Sequence, residues 1–122
     1  MAGERILVVD DNLMNVRLAR AVLETAGYEV QSAGDSTSAF AQLERLRPRL
    51  IILDLKLPGM DGFELAHKIK HDARYSDIPI IAMTASGLVR DEERARLAGC
   101  DDFIAKPFDI DTLIATIARL VG

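Results

Sequence analysis

The stretch 50–62 constrains the fold more strongly than any other part of the chain. Four apolar residues at 50–53 are followed at once by Asp54 and then by the turn residues Pro58 and Gly59. A short apolar run bounded in this way is typical of a strand that is covered on both faces. Sheets built from such strands place their chemistry at the carboxyl ends of the strands. Asp54 is therefore the first candidate for a functional residue.

The rest of the chain repeats a unit in which a short apolar run is followed by a segment with helical spacing. Strands are predicted at residues 6–9, 28–33, 50–53, 80–83 and 102–105, and helices near 14–26, 36–46, 63–69, 90–98 and 110–121. Asn12, Asp35 and Asp109 can cap helix starts, and Gly27 and Gly99 stand just past helix ends. Five such units predict right-handed crossovers and one parallel sheet between helices, because a closed barrel would need about eight.

The helical spacing also predicts which side chains are buried. The first helix is expected to carry an apolar stripe made by Leu18, Val22 and Ala26, and the third helix one made by Phe63, Ala66 and Ile69. Three polar residues of the third helix are expected to face water: Lys68, Lys70 and His71. The fourth helix has a thin apolar stripe, which fits both an ordinary solvated helix and a helix of low local stability that contacts a partner.

Composition limits the domain organisation and the partners. With 122 residues, the chain has room for one domain, 1–122, with one core. The net charge of −4 argues against a nucleic-acid partner, which would require a positive field. One cysteine excludes an internal disulfide, and no segment reads as a signal peptide or a membrane span. We expect a soluble cytoplasmic protein with no membrane partner.

The loops after four of the predicted strands should open on the same edge of a parallel sheet. They carry Asp10, Asp11, Asp54, Thr84 and Lys106. Three converging carboxylates repel one another, and one lysine is a poor counterion for three charges, so a divalent cation is expected among them. Mg²⁺ fits best because it prefers oxygen ligands and is usually held by one or two carboxylates next to a phosphate.

These groups together suggest phosphoryl transfer. Asp54 can act as a nucleophile that forms an acyl phosphate. A metal would then offset negative charge, Lys106 would serve as a point cation, and Thr84 would donate a hydrogen bond from its hydroxyl.

At these positions the chain resembles the receiver domain of bacterial two-component response regulators, over essentially its full length. The matching motifs are Asp10-Asp11 after the first strand, the 53–62 segment around Asp54, Thr84-Ala85 after the fourth strand, and Lys106-Pro107 after the fifth. The resemblance implies a doubly wound, flavodoxin-like α/β sheet with strand order 2-1-3-4-5. It also implies that Asp54 accepts a phosphoryl group from a histidine kinase or a histidine phosphotransfer protein.

The resemblance further assigns metal ligands. Asp11, Asp54 and the main-chain carbonyl of Lys56 would hold Mg²⁺ directly, and Asp10 would act largely through a water. Mn²⁺ could substitute for Mg²⁺.

The remaining site residues are assigned in the same way. Thr84 and Lys106 would grip the phosphoryl oxygens, and Phe103 would be the switch aromatic, here without the hydroxyl of the more common tyrosine. Lys56 and Ser86 would tune the rate at which the acyl phosphate hydrolyses. The resemblance implies a phosphoacceptor, with autophosphatase activity at most, rather than an enzyme acting on other substrates.

The output implied by the resemblance is binding to a separate protein, through the fourth helix, the fifth strand and the fifth helix. No output domain follows in this chain, so it is either a natural single-domain protein or a receiver cut from a longer one. Asp10-Asp11-Asn12 with Asn15 is similar to the opening of DivK-like single-domain regulators and of hybrid-kinase receivers.

Two competing functions fit the sequence less well. A phosphohydrolase resembling the haloacid dehalogenases would carry a second carboxylate two residues after its nucleophile, where this chain has Lys56, and would have a cap insertion. A nucleotide-binding domain would show a G-x-G-x-x-G motif after Val9, and none is present.

Overall fold

Five strands alternate with five helices in a computed structural model that describes residues 3–57, 60–84, 89–105 and 109–121. The strands of the main sheet are β1 Arg5–Val9, β2 Glu29–Ala33, β3 Leu50–Asp54, β4 Ile80–Thr84 and β5 Asp102–Ala105. The helices are α1 Leu13–Thr25, α2 Ser36–Arg45, α3 Gly62–Lys70, α4 Val89–Leu97 and α5 Ile110–Val121. The predicted alternation is confirmed, with boundaries shifted by a residue or two.

All neighbouring strands of the main sheet run parallel, in the order β2-β1-β3-β4-β5, which confirms the predicted doubly wound arrangement. Val9 at the end of β1 is in register with Leu53 of β3, so the residues that follow β1 and β3 emerge side by side. The sequence did not predict a small antiparallel pair of strands, Lys56–Leu57 with Met60–Asp61, between β3 and α3.

The two faces of the sheet bury different helices. Alternate residues of β1 point to opposite faces: Leu7 and Val9 join a core with α2 and α3, whereas Ile6 and Val8 join a core with α1 and α5. β3 behaves in the same way and is apolar and buried from Leu50 to Leu53, as expected for a central strand covered on both sides. No helix in the described ranges is long and apolar enough to span a membrane.

The predicted helix caps are confirmed. Asn12 caps α1 by accepting hydrogen bonds from the backbone N–H groups of Met14 and Asn15. Asp35 caps α2, and Asp109 accepts a hydrogen bond from the N–H of Thr112 at the start of α5. Gly27 and Gly99 have φ of 98° and 101°, the left-handed conformation that suits glycine after a helix.

The predicted buried face of α1 is wrong by about one position. Val16, Ala19 and Leu23 pack against the sheet, while Leu18 is 51% exposed. The helix carries two apolar stripes side by side, and spacing alone does not reveal which of them meets the sheet. The stripe that packs against the sheet contains Ala19, and the small side chain of this residue allows the helix to lie close to the strands.

The prediction for Lys70 is also wrong. Its side chain is only 14% exposed, and its ammonium donates a hydrogen bond to the carbonyl of Ile78 at 2.8 Å and lies 2.9 Å from the Asp101 carboxylate. Ile78 precedes β4 and Asp101 follows α4, so the last turn of α3 packs against both of these segments. The burial of Lys70 is therefore a result of tertiary packing. Lys68 and His71 are exposed as predicted, and Ala66 and Ile69 are buried.

Candidate metal and phosphoryl-transfer site

Three carboxylates meet at the carboxyl edge of the sheet. Asp10 and Asp11 follow β1, Asp54 ends β3, and each offers an oxygen within 4.8 Å of the others. Asp10 is buried, Asp54 is half-buried and Asp11 is exposed. The sequence predicted this convergence from the parallel topology, and the structure brings the three residues together.

Backbone hydrogen bonds fix the β1 side of this cluster. The N–H of Asp10 donates to the carbonyl of Ala33 at 2.9 Å, which continues the β1–β2 ladder beyond the last strand residue. One oxygen of the Asp10 carboxylate accepts the N–H of Asn12 at 2.9 Å. Because Asn12 is also the N-cap of α1, the buried carboxylate is tied directly to the start of that helix.

The β3 side is fixed by the turn that follows Asp54. The Asp54 carboxylate accepts the N–H of Lys56 at 3.0 Å, and Leu55 donates its N–H to the carbonyl of Met83 at 3.0 Å. The N–H of Gly62, the first residue of α3, returns to the carbonyl of Leu55 at 3.1 Å. The chain thus folds back on the residue next to Asp54.

Gly62 permits this close return. A Cβ built there would lie 2.5 Å from the Leu55 Cα and 2.8 Å from the Asp54 carbonyl oxygen, distances that side chains do not tolerate. The role of Gly62 in shaping the site was not predicted from the sequence. A glycine at the first position of a helix is the sequence signal that could have revealed this role, because the flexibility of glycine does not favour a helix.

The donor set suits a hard divalent cation. Carboxylates within 4.8 Å of one another repel when ionised, and a cation among them removes that cost. All three side chains offer oxygen, which Mg²⁺ prefers, and none offers the nitrogen or sulfur that zinc would recruit. The residues present therefore fit magnesium.

Two other predicted residues lie near this edge. Thr84 is buried at the end of β4, and the residue before it, Met83, is in register with Asp54. Phe103 on β5 is half-buried and packs against a small cluster of Leu55, Ala82 and Ala95. Lys106 and Ser86 lie outside the described residues.

α4 contacts the segment that follows Asp54 through Arg94. Its guanidinium lies 3.1 Å from the carboxylate of Asp61, the N-cap of α3, and 3.9 Å from the centre of the Phe63 ring. No sequence signal distinguishes Arg94 from the neighbouring charged residues, since its partners come from another helix.

The sequence profile of the response regulator receiver domain matches residues 6–118, and the chain belongs to that family. Domains of this family are phosphoacceptor modules of two-component signalling that interact with histidine kinases or phosphotransfer proteins.

Two curated relatives illustrate the range of proteins that carry such a domain. The chain is 36% identical over 117 residues to the polar-differentiation response regulator DivK of Brucella anthropi, covering 96% of this chain and 95% of DivK. It is 39% identical to the DNA-binding dual master transcriptional regulator RpaA of Synechocystis, again over 96% of this chain but only 48% of RpaA. The chain thus spans about half the length of that relative.

Solved structures agree with the fold. The receiver domain of the sensor histidine kinase PA1611 from Pseudomonas aeruginosa superposes with a TM-score of 0.90 at 36% identity, covering 99% of both chains. That domain has a magnesium ion coordinated in its active-site cleft. The chemotaxis response regulator CheY4 of Vibrio cholerae superposes with a TM-score of 0.90 at 29% identity, covering 98% of this chain and 99% of CheY4.

Proposed function

We propose that the whole chain, 1–122, is a receiver domain that takes a phosphoryl group on Asp54 from a histidine kinase or a histidine phosphotransfer protein. The observation that carries the proposal is the meeting of Asp10, Asp11 and Asp54 at one sheet edge, with oxygens within 4.8 Å of one another. We place this exchange in the cytoplasm.

In the transfer step, an Asp54 carboxylate oxygen attacks the phosphorus of a phosphohistidine. The new O–P bond forms as the N–P bond breaks, and the bonding electron pair stays on the imidazole nitrogen, which takes up a proton. The hydrogen bond from the N–H of Lys56 to the Asp54 carboxylate holds that side chain in a fixed orientation, which supports its role as an aligned nucleophile. Attack by water on the acyl phosphate would release inorganic phosphate and restore the carboxylate.

Asp11, Asp54 and the main-chain carbonyl of Lys56 would hold Mg²⁺, or Mn²⁺ in its place, with Asp10 acting through a water. When bound, the ion neutralises charge on the transferring phosphoryl group. Asp10 is buried, and its carboxylate accepts a hydrogen bond from the backbone N–H of Asn12. Because the backbone already orients this carboxylate, these observations favour binding of the ion through a water over direct binding.

The remaining roles complete the proposal. Thr84 and Lys106 contact the phosphoryl oxygens, and Lys56 and Ser86 set the hydrolysis rate. Movement of Thr84 allows the ring of Phe103 to shift, and the face formed by α4, β5 and α5 then changes its affinity for a downstream protein. Phe103 is half-buried and packs against Ala95 of α4. This position supports the proposal, because the ring can respond to changes at the site and pass them to α4.

Incubation with acetyl phosphate and Mg²⁺, followed by intact-mass measurement, tests the proposal. One phosphoryl adduct is expected in the native chain, and none in Asp54→Asn or after chelation of the metal. Asp77→Asn is the matched control. Asp77 lies on the segment before β4, and its exposed carboxylate pairs with Arg47. An adduct that persists in Asp54→Asn, or no adduct in the native chain with any small donor, would overturn it.

A further inference from the structure

Two histidines lie one helical turn apart at the end of α3, outside the carboxylate site. His67 and His71 are both exposed, and their imidazole rings stack with centroids 3.8 Å apart and planes inclined by 25°. Residues at i and i+4 share one face of a helix, so these rings are brought together by the helix itself. The helix therefore brings two metal-ligating side chains to the same place on its surface. Because each ring nitrogen holds its lone pair in the plane of its own ring, the exposed ring of His67 must turn out of the stack before both side chains can bind one ion.

A hydrogen bond sets the tautomer of the second ring. Nδ1 of His71 lies 2.9 Å from the backbone carbonyl oxygen of His67. Because a carbonyl oxygen only accepts hydrogen bonds, Nδ1 must carry the proton, and Nε2 of the neutral ring holds the lone pair. Metal-bound histidines usually show this arrangement, in which the other ring nitrogen donates to a carbonyl or carboxylate.

We propose that His67 and His71 form a surface site for a divalent transition-metal ion of the Cu²⁺, Ni²⁺ or Zn²⁺ type, with water filling the other positions. The H-x-x-x-H spacing on a helix is the one by which helical zinc sites supply two imidazoles. Imidazole nitrogen suits these borderline ions, whereas Mg²⁺ prefers oxygen, so the two metal sites differ in selectivity.

The charges around the pair are compatible with a bound cation. Lys70, on the same turn, is paired with the Asp101 carboxylate. Arg94, which lines a groove between α3 and α4 together with His67, is paired with Asp61. Glu64 lies one turn before His67 and adds a negative charge to this part of the helix. The exposed ammonium of Lys68 is a mobile cation on a long stem that can turn away.

Titration of the full chain with Cu²⁺, in excess Mg²⁺ to occupy the carboxylate site, tests the proposal. Electron paramagnetic resonance should show one saturable site with two coupled nitrogens. His71→Gln or His67→Gln should weaken binding at least about tenfold, since even partners of metal ligands contribute tenfold or more. The double variant should lose the signal. Asp54→Asn should keep it, so the result is independent of the proposed phosphorylation.

Thermal unfolding gives a second readout. The pair exists only when α3 is helical, so Ni²⁺ or Zn²⁺ should raise the midpoint of the native chain by mass action and leave the double variant unchanged. Both histidines are exposed, so the variants are expected to fold, which circular dichroism checks. Equal binding by native chain and double variant, or loss of binding in Asp54→Asn, would overturn the proposal.

Discussion

The guanidinium of Arg94 lies 3.1 Å from the carboxylate of Asp61, which joins the middle of α4 to the N-cap of α3. The same group covers the Phe63 ring at 3.9 Å. Among residues 90–97 of α4, whose side chains the structure describes, only Ala95 is buried, and Leu97 at the end of the helix is 85% exposed. The contacts made by Arg94 therefore help to hold this helix against α3.

Replacing Arg94 with Met should loosen α4 more than it destabilises the protein. The exposed ion pair is worth up to about 1 kcal/mol and the cation–π contact about 0.5–1 kcal/mol, so global stability should fall by about 1 kcal/mol. Amide exchange should accelerate within α4 and remain unchanged in α1. Arg96→Met is the control, because Arg96 pairs with Glu92 inside the same helix. The same acceleration in both variants would show that the link to α3 is unimportant.

Lys70→Met should cost more than a surface lysine usually does. Its ammonium donates to the Ile78 carbonyl and pairs with Asp101, whose carboxylate also accepts the N–H of Ile80 at 2.8 Å. Loss of a largely buried charged donor should lower the free energy of unfolding by about 2–3 kcal/mol. Urea denaturation measures this, with exposed Lys68→Met as control. A loss below that of the control would contradict the structural role.

The burial of Lys70 could not be predicted from the sequence. Helical spacing identified the stripe of Ala66 and Ile69 on α3, because that stripe is set by the period of the helix. The position of Lys70 depends on Asp101, which is distant in sequence and reaches it only after α4 and the turn at Gly99 have folded. α1 illustrates the same limit. It carries two adjacent apolar stripes, and only tertiary packing determines which of them is buried.

The carboxylate cluster could be predicted because its cause is topological. In a parallel sheet every strand ends on the same edge, so Asp10 and Asp54 must approach if β1 and β3 are neighbours. The detailed shape of the loop was not predictable, because it depends on backbone contacts such as the return of Gly62 to Leu55.

Gly62→Ala should damage both stability and the proposed site. The new methyl group would meet the backbone at Leu55 and Asp54, which is not free to move away, so a loss of about 3 kcal/mol or more is expected. Weaker Mg²⁺ binding should follow from the displaced Asp54. In Gly34→Ala, the methyl group would lie 3.9 Å from the nearest atom, so little change is expected there. Urea denaturation and Mg²⁺ titration compare the two, and equal effects would contradict the close-approach argument.

Cys100 should be unreactive in the folded chain. Burial, and secondarily the charge of Asp101, raise the pKa of its thiol from 9.0 to about 12, against the opposing effect of Lys70. At pH 8 the thiolate, which is the reactive form, should be roughly a thousandfold rarer than in an ordinary cysteine, by the three-unit difference. A disulfide reagent should label the unfolded chain in urea quickly and the native chain slowly. Rapid native labelling would contradict the raised pKa of this half-buried thiol.

The same shift predicts a pH dependence of stability. Because the folded-state pKa of Cys100 lies above its unfolded value, its contribution is fully present below about pH 9 and decreases as the pH rises toward 12. The free energy of unfolding of the native chain should therefore fall relative to that of Cys100→Ala across this range, since alanine has no proton to lose. Denaturation curves for both chains at several alkaline pH values measure the difference, which isolates the thiol from the other groups that titrate there. A constant difference from pH 8 upward would mean that the thiol ionises equally in both states.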